Sequence, residues 1–140
     1  MVDIPRRALS IRQPWAWAIL NADKDIENRS WSTSYRGPVA IHASKGLTAS
    51  EFSEFIATAH EISTVRPFPS GLTVPPIADF SRGGIVGVVD IVDCVRRSGS
   101  PWFFGPWGFV LENARPVEFI PVRGALGFFD WRKRVIGGGQ

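Results

Sequence analysis

The stretches LSIRQPWA at residues 9–16 and KDIENRSW at residues 24–31 decide the fold and the site of this chain. Residues 9–31, which these stretches begin and end, hold three cations, three carboxylates and three tryptophans, Trp15, Trp17 and Trp31. A hydrophobic core has no need of this mixture, whereas a concave site for a flat, anionic ligand does. Nucleotides and nucleic acids are ligands of that kind, because bases stack on aromatic rings and phosphates bind Lys and Arg.

The first stretch predicts a strand followed by a short helix. Residues 7–11 have the composition of a strand. Pro14 suits the first position of a helix, where its missing N–H is not needed. The helix is then expected to run for about two turns and to end near Asn21.

The second stretch predicts a strand over residues 26–31. Side chains alternate along a strand, so Glu27, Arg29 and Trp31 are expected on one face. On the preceding helix Trp15 and Trp17 point about 200° apart, so they cannot both face the core. We expect Trp17 to be buried and Trp15 to be available to a ligand.

The rest of the chain predicts one longer helix and several short strands. Thr48 and Glu51 form a capping-box pattern, which predicts a helix as far as His60. Residues 62–83 are expected to form a long ordered loop with one helical turn near residues 77–79. Further strands are predicted at residues 39–43, 84–95, 107–113, 117–121 and 126–131. With 14 Gly and 11 Pro, this order predicts an α+β, mainly β fold, a small and partly open β-barrel with flanking helices.

Charge is unevenly distributed along the 140 residues, which fit a single domain. Residues 1–45 carry seven cations and four acids (7 − 4 = +3), and residues 132–140 carry three cations and no acid (+3). Residues 46–131 carry six cations and nine acids (6 − 9 = −3). If the two ends meet in the fold, they form a basic face that steers an anionic partner. Residues 132–140 are predicted to be a basic, glycine-rich C-terminal tail.

The scarcity of cysteine and histidine excludes several kinds of site. Cys94 is the only cysteine, and His42 and His60 are the only histidines, so the chain lacks the ligands of a disulfide or a Cys/His zinc centre. We expect no metal and no cofactor. The sequence shows no apolar run of membrane-spanning length and no signal peptide. These features predict a soluble, cytoplasmic monomer that does not contact a membrane.

Residues 22–29 resemble the signature Gly-x-Lys-x-x-Glu-x-Arg of the ASCH domain family. Lys24, Glu27 and Arg29 match it, and Ala22 stands where the family has glycine. Residues 9–16, 84–93 and 109–116 are similar to further blocks of that family, in the same order, so the resemblance covers nearly all of residues 1–140 as one ASCH domain. It implies a PUA-like β-barrel with a cleft beside the signature. It also implies a role with RNA, DNA or modified nucleosides.

The signature residues have several candidate roles in such a cleft. Lys24 and Arg29 suit phosphate, and each disfavours the charge of the other, which makes Lys24 a candidate general base or nucleophile. Glu27 can orient Arg29, accept a hydrogen bond from a base, or act in proton transfer. Small amidohydrolases of the family carry threonine at the position of Glu27, which counts against transferring their mechanism whole. Alternatively, the three side chains form a structural ion cluster at the mouth of the barrel.

Other residues are expected to complete the cleft. Trp15 or Trp31 is a candidate platform for a stacked base, although Trp31 also suits the barrel core. Arg12 is expected at the rim, the N–H groups after Pro14 are candidate donors, and His42 is either structural or, if it faces Lys24, active in proton transfer. The candidate binding residues are therefore Ser10, Arg12, Gln13, Pro14, Trp15, Lys24, Glu27, Arg29, Trp31 and His42.

The sequence therefore predicts a domain that binds RNA, DNA, a nucleotide or a nucleoside in a basic cleft. The alternative is a hydrolase with Lys24 and Glu27 as catalytic residues, either an amidohydrolase of the N4-acetylcytidine type or a metal-independent ribonuclease. A second alternative is a protein-interaction module whose basic face meets an acidic partner.

Overall fold

A computed structural model describes residues 2–137 and contains one six-stranded sheet with two helices. The strands are β1 (Arg7–Ile11), β2 (Ile26–Arg29), β3 (Gly37–Ala43), β4 (Gly84–Val95), β5 (Trp107–Pro121) and β6 (Phe128–Asp130). The helices are α1 (Trp15–Asn21) and α2 (Ala49–Val65), and short 3-10 helices span Ile77–Asp79 and Trp131–Arg134. The order across the sheet is β2-β5-β4-β3-β1-β6, with β1 and β3 parallel and the other pairs antiparallel.

The sheet curls into a half-barrel, as contacts between its two sides show. Strands β5, β4 and β3 separate β2 from β1 in the sheet order, yet Arg29 of β2 donates a hydrogen bond to the carbonyl of Ser10 in β1 at 2.6 Å. The ring of Trp31, just beyond β2, meets that of Phe128 in β6 with centroids 5.5 Å apart. The predicted α+β, mainly β, PUA-like barrel with flanking helices is therefore confirmed.

Most predicted elements are present, and their bounds differ where distant partners decide them. The two strands predicted at 107–113 and 117–121 are one strand, β5, which shifts register against β4 and places Asn113 at a φ of 58°. Helix α2 continues past the predicted end to Val65, because Ile62 extends the buried row of Phe55 and Ala59. Strand β2 ends at residue 29, two residues earlier than predicted.

Helices α1 and α2 pack against the sheet through large apolar side chains. Helix α1 approaches β4 closely at Gly87, where an added Cβ would lie 2.6 Å from Leu20. Helix α2 inserts Phe55, which is fully buried and meets the rings of Trp15 and Trp17 edge-on at 5.0 and 6.2 Å. The capping box of Thr48 and Glu51 predicted for α2 is formed in both directions. These contacts fix α1, and with it Trp15, relative to β1 and β2.

The two basic ends of the chain meet, which is the condition that a common basic face required. Arg6 and Asp130 form an ion pair at 2.9 Å, and the indole of Trp131 donates to the carbonyl of Pro5 at 2.6 Å. The predicted tail, 132–140, begins inside the second 3-10 helix, and Val135 pairs with Val122. Its last part, residues 138–140, lies outside the described residues. Within residues 2–137, neither helix combines the length and apolarity needed to cross a membrane.

We predict that Phe55→Ala lowers the free energy of unfolding by about 3–5 kcal/mol, because it empties a fully buried aromatic site between α2 and α1. The adjacent Ile56 is 39% exposed, so Ile56→Ala should change it by less than about 1 kcal/mol. Urea denaturation of both variants measures the difference. Equal losses would show that α2 is not anchored through Phe55.

Candidate functional site

A hollow of about 480 Å³ opens between the end of β1, the start of α1 and strand β2. We call it the signature hollow, since it contains the three signature side chains. Seven of the ten candidate binding residues line it: Ser10, Arg12, Trp15, Lys24, Glu27, Arg29 and Trp31. Its volume lies within the range of small-ligand pockets, about 300–1,000 Å³.

The carboxylate of Glu27 joins the two signature cations. Its Oε1 accepts a hydrogen bond from Lys24 Nζ at 3.3 Å, and its Oε2 accepts one from Arg29 Nε at 3.1 Å. Lys24 Nζ also donates to the carbonyl of Ile26. Two cations and one carboxylate leave a net charge of +1 on the cluster, which suits an anionic ligand.

Local backbone geometry brings these side chains together. Asp23 adopts a φ of 57° after the end of α1, and this turn directs the chain into β2. In β2 the residues pair with β5 so that Glu27 and Arg29 share a face. Lys24 lies before the strand, where its backbone N–H bonds to Ala18 of α1 at 3.2 Å.

Lys24 is unusual because it is a buried lysine, only 4% exposed. Burial lowers the pKa of its ammonium, since a charge loses hydration in the protein interior, and the neighbouring Glu27 carboxylate opposes this shift. The charge of Arg29 lowers the pKa further. Glu27 therefore partly offsets the cost of burying the Lys24 ammonium.

Arg29 presents its guanidinium partly to the protein and partly to the hollow. Its Nε bonds to Glu27, and its Nη2 bonds to the carbonyl of Ser10 at 2.6 Å. Arg29 Nη1 has no hydrogen-bond partner within residues 2–137, and it is accessible to solvent. Its N–H groups are therefore available to an oxygen of a ligand.

Aromatic side chains wall the same hollow. Trp15 meets Phe55 and Trp102 edge-on, and Trp31 meets Phe109 and Phe128 edge-on. No parallel ring within residues 2–137 is stacked on either indole. Trp17, which was predicted to be buried, is only half-buried, as Trp15 is, and it is directed toward Phe55 and Phe80. Both indoles pack against the same apolar cluster, so the prediction that only one of them would face the core was wrong.

Arg12 lies at the rim, where it was predicted, but its charge is paired. It binds Glu51 through Nε at 2.8 Å and Nη2 at 2.6 Å. This bidentate contact, together with the backbone N–H of Thr48, lowers the pKa of Glu51 to about 2. Arg12 thereby connects the hollow to the N-terminus of α2.

Three candidate residues, Gln13, Pro14 and His42, do not line the signature hollow. Gln13 is buried and bonds to the carbonyl of Ser81 and the N–H of Trp17. Pro14 follows a cis peptide bond and precedes α1 rather than opening it. Two of the predicted helix N-terminal donors are occupied, because the N–H groups of Ala16 and Trp17 bond to the carbonyl of Arg12 and the side chain of Gln13.

His42 does not face Lys24 as one interpretation required. Its Nε2 donates to the carbonyl of Val122 at 2.7 Å, so Nδ1 accepts from the hydroxyl of Ser10 at 2.9 Å in the neutral ring. Burial lowers the pKa of His42, which favours this neutral form. In this structure His42 joins β3, β1 and the segment after β5.

Four residues that the sequence reasoning did not select also line the hollow: Ile11, Asn28, Ser30 and Phe104. Phe104, 62% exposed, stands at its edge. Asn28 holds the Phe104 loop: its Oδ1 accepts from the N–H groups of Phe104 and Gly105, and its Nδ2 donates to Trp102. The sequence contained two signals that pointed to Phe104 and Asn28, the aromatic run at 102–107 and the side-chain amide of Asn28 inside the signature. Their proximity, however, depends on a contact across 76 residues of sequence.

The ASCH domain profile matches residues 9–120 of this chain. Human activating signal cointegrator 1 is 35% identical over 128 residues, covering 83% of this chain and 20% of the human protein. Mouse activating signal cointegrator 1 is 35% identical over 90 residues, covering 64% of this chain and 14% of the mouse protein. The chain thus spans about a fifth or less of the length of these relatives.

We predict that Glu27→Gln lowers the free energy of unfolding by about 3–5 kcal/mol, because a neutral amide leaves two largely buried cations without a counter-charge. Asp93→Asn is the matched control. Asp93 pairs with Arg36 at 3.5 Å but is 59% exposed, so its loss should cost under about 1 kcal/mol. Urea denaturation at neutral pH compares them, and a similar small loss in both would contradict the role given to Glu27.

Proposed function

We propose that this chain, which belongs to the ASCH domain family, binds nucleic acid or a nucleotide in the signature hollow. One observation carries the proposal: two cations share one carboxylate inside a hollow walled by indole rings. A ligand that is both anionic and aromatic uses each of these features. Nucleotides are such ligands.

The phosphate of the ligand is assigned to Arg29. Its Nη1 has no partner in the described part of the chain, while Nε and Nη2 hold the side chain in one orientation. A guanidinium fixed in this way loses little side-chain entropy on binding phosphate. Lys24 contributes through its charge, since its ammonium is bound to Ile26 and Glu27.

The base of the ligand is assigned to the aromatic wall. Trp15, Trp31 and Phe104 line the hollow, and stacking of a base on such a ring is worth about 1–3 kcal/mol. Each carboxylate oxygen of Glu27 accepts one hydrogen bond from the protein, which leaves further lone pairs. Glu27 can therefore accept a hydrogen bond from an exocyclic amino group of the base.

A second candidate function is hydrolysis of a modified nucleoside. Burial lowers the pKa of Lys24 beside Glu27, as a general base or a nucleophilic amine requires. Against it, Glu27 occupies the position that the resembling amidohydrolases fill with threonine. Glu27 is also the only carboxylate that lines the hollow within residues 2–137.

We predict that single-stranded RNA or DNA of about 12 nucleotides binds the protein and that log Kd rises linearly with log salt concentration. Arg29→Gln should weaken binding by about tenfold, because it removes one phosphate contact. Phe104→Ala should weaken binding without unfolding the protein, since this side chain is mostly exposed. Fluorescence anisotropy of a labelled oligonucleotide measures both effects.

Arg36→Gln is the control for charge, because Arg36 is an exposed cation outside the hollow. Its affinity should stay close to that of the wild type. If neither RNA, DNA nor any nucleotide binds, or if Arg36→Gln and Phe104→Ala act alike, the proposed function is overturned.

The hydrolase candidate makes a separate prediction. Incubation with N4-acetylcytidine should release acetate, and Lys24→Ala should abolish the release because it removes the only lysine that lines the hollow within residues 2–137. Acetate is measured by proton NMR, with Arg36→Gln as the control. No acetate from the wild-type protein, together with nucleotide binding, would reject this candidate and leave the binding proposal in place.

A further inference from the structure

We propose that a second hollow, separated from the signature hollow by Ser10, binds the phosphate backbone of a single-stranded nucleic acid. The ligand is then a strand that crosses both hollows, not a lone nucleotide. This inference rests on the proposed function and goes beyond it, because it names the class of ligand and a second set of binding residues.

The second hollow encloses about 580 Å³ and is basic. Lys45 and Arg123 line it together with Ser10, His42 and Leu126, and no acidic side chain of the described chain lines it. An anion is therefore the charged ligand that fits. Leu126, the most exposed large apolar side chain described, adds an apolar surface at its edge.

The cations around this hollow lack counter-ions, unlike most others. Seven ion pairs occur within residues 2–137, and none involves Lys45, Arg82, Arg123 or Arg134. Arg82 and Arg134 instead bond to backbone carbonyls, those of Lys45, Arg123 and Gly124. No carboxylate within the described part of the chain pairs with these cations, so their charge remains for a ligand.

These side chains extend from the rim of the signature hollow to both sides of the second hollow. The guanidinium of Arg12, at the rim, lies against Gly46, where an added Cβ would be 3.0 Å away. Lys45 directly precedes Gly46, and its backbone carbonyl accepts a hydrogen bond from Arg82 at 2.9 Å. Across the second hollow lies Arg123. We call Arg12, Lys45, Arg82, Arg123 and Arg134 the basic strip.

Ser10 connects the two hollows physically. Its carbonyl accepts from Arg29 on the signature side, and its hydroxyl bonds to His42 on the other side. Gly124 closes over this pair, since a Cβ there would lie 2.8 Å from both Ser10 Oγ and His42 Cε1. Ser10 therefore lines both hollows, which makes them direct neighbours on the surface.

A single strand fits this arrangement better than a duplex. A base can enter the signature hollow and stack on its indoles only if it has left its base pair. The strip then carries the phosphates on either side. Proteins that bind single-stranded nucleic acid typically combine a row of cations along the backbone with aromatic side chains on which the bases stack.

The experiment compares strand and mononucleotide binding in the double variant Lys45→Gln/Arg123→Gln. The probes are a labelled single strand of about 12 nucleotides, as RNA and as DNA, and the nucleoside 5′-monophosphates. We expect the variant to lose about tenfold or more in strand affinity, and its log-log salt slope to fall by about 1.4, for two phosphate contacts. Mononucleotide affinity should stay within about twofold of the wild-type value.

Arg97→Gln/Arg115→Gln is the matched control, because it removes two cations that line neither hollow. If this control weakens strand binding as much as the test variant, or if the wild type binds strands no better than mononucleotides, the inference is overturned while the proposed function stands. If neither probe binds the wild-type protein, both fail. Thermal unfolding of each variant verifies that the fold is kept.

Discussion

The rest of the site depends on the two ion pairs that the Glu27 carboxylate forms with Lys24 and Arg29. This carboxylate is shared by a buried ammonium and a guanidinium, and the guanidinium in turn reaches across the half-barrel to Ser10. Buried charges are tolerated only when they are paired. The cluster therefore holds β2 against β1 and also shapes the hollow, so a structural ion cluster and a binding site are not competing interpretations of these residues.

Pairing divides the cations of this protein into two groups with different consequences. In the signature hollow the charges are held by Glu27, and only part of the Arg29 guanidinium faces outward. Along the basic strip, four of the five members have no carboxylate partner among the described residues. The first arrangement gives orientation and the second gives long-range attraction, which are complementary requirements for holding a polyanion.

Elements set by local rules were predictable. The capping box at Thr48 and Glu51, the alternation in β2 and the apolar run of β4 depend on residues close in sequence, and all three are present. The continuous β5 and the extended end of α2 were not predicted. Both depend on partners elsewhere, β4 for the strand and the buried apolar cluster for Ile62.

The sequence by itself determined which chemistry is available: two cations, a carboxylate and indoles, with a period-two pattern that puts Glu27 and Arg29 on one face. Only the tertiary structure decided that Gln13 and His42 face elsewhere, that Arg12 is paired, and that Phe104 joins the hollow. The reason is sequence separation. Ser10 meets Arg29 across 19 residues and His42 across 32, and His42 meets Val122 across 80. The curvature of the sheet determines such contacts, so they cannot be predicted from the pattern of neighbouring residues in the sequence.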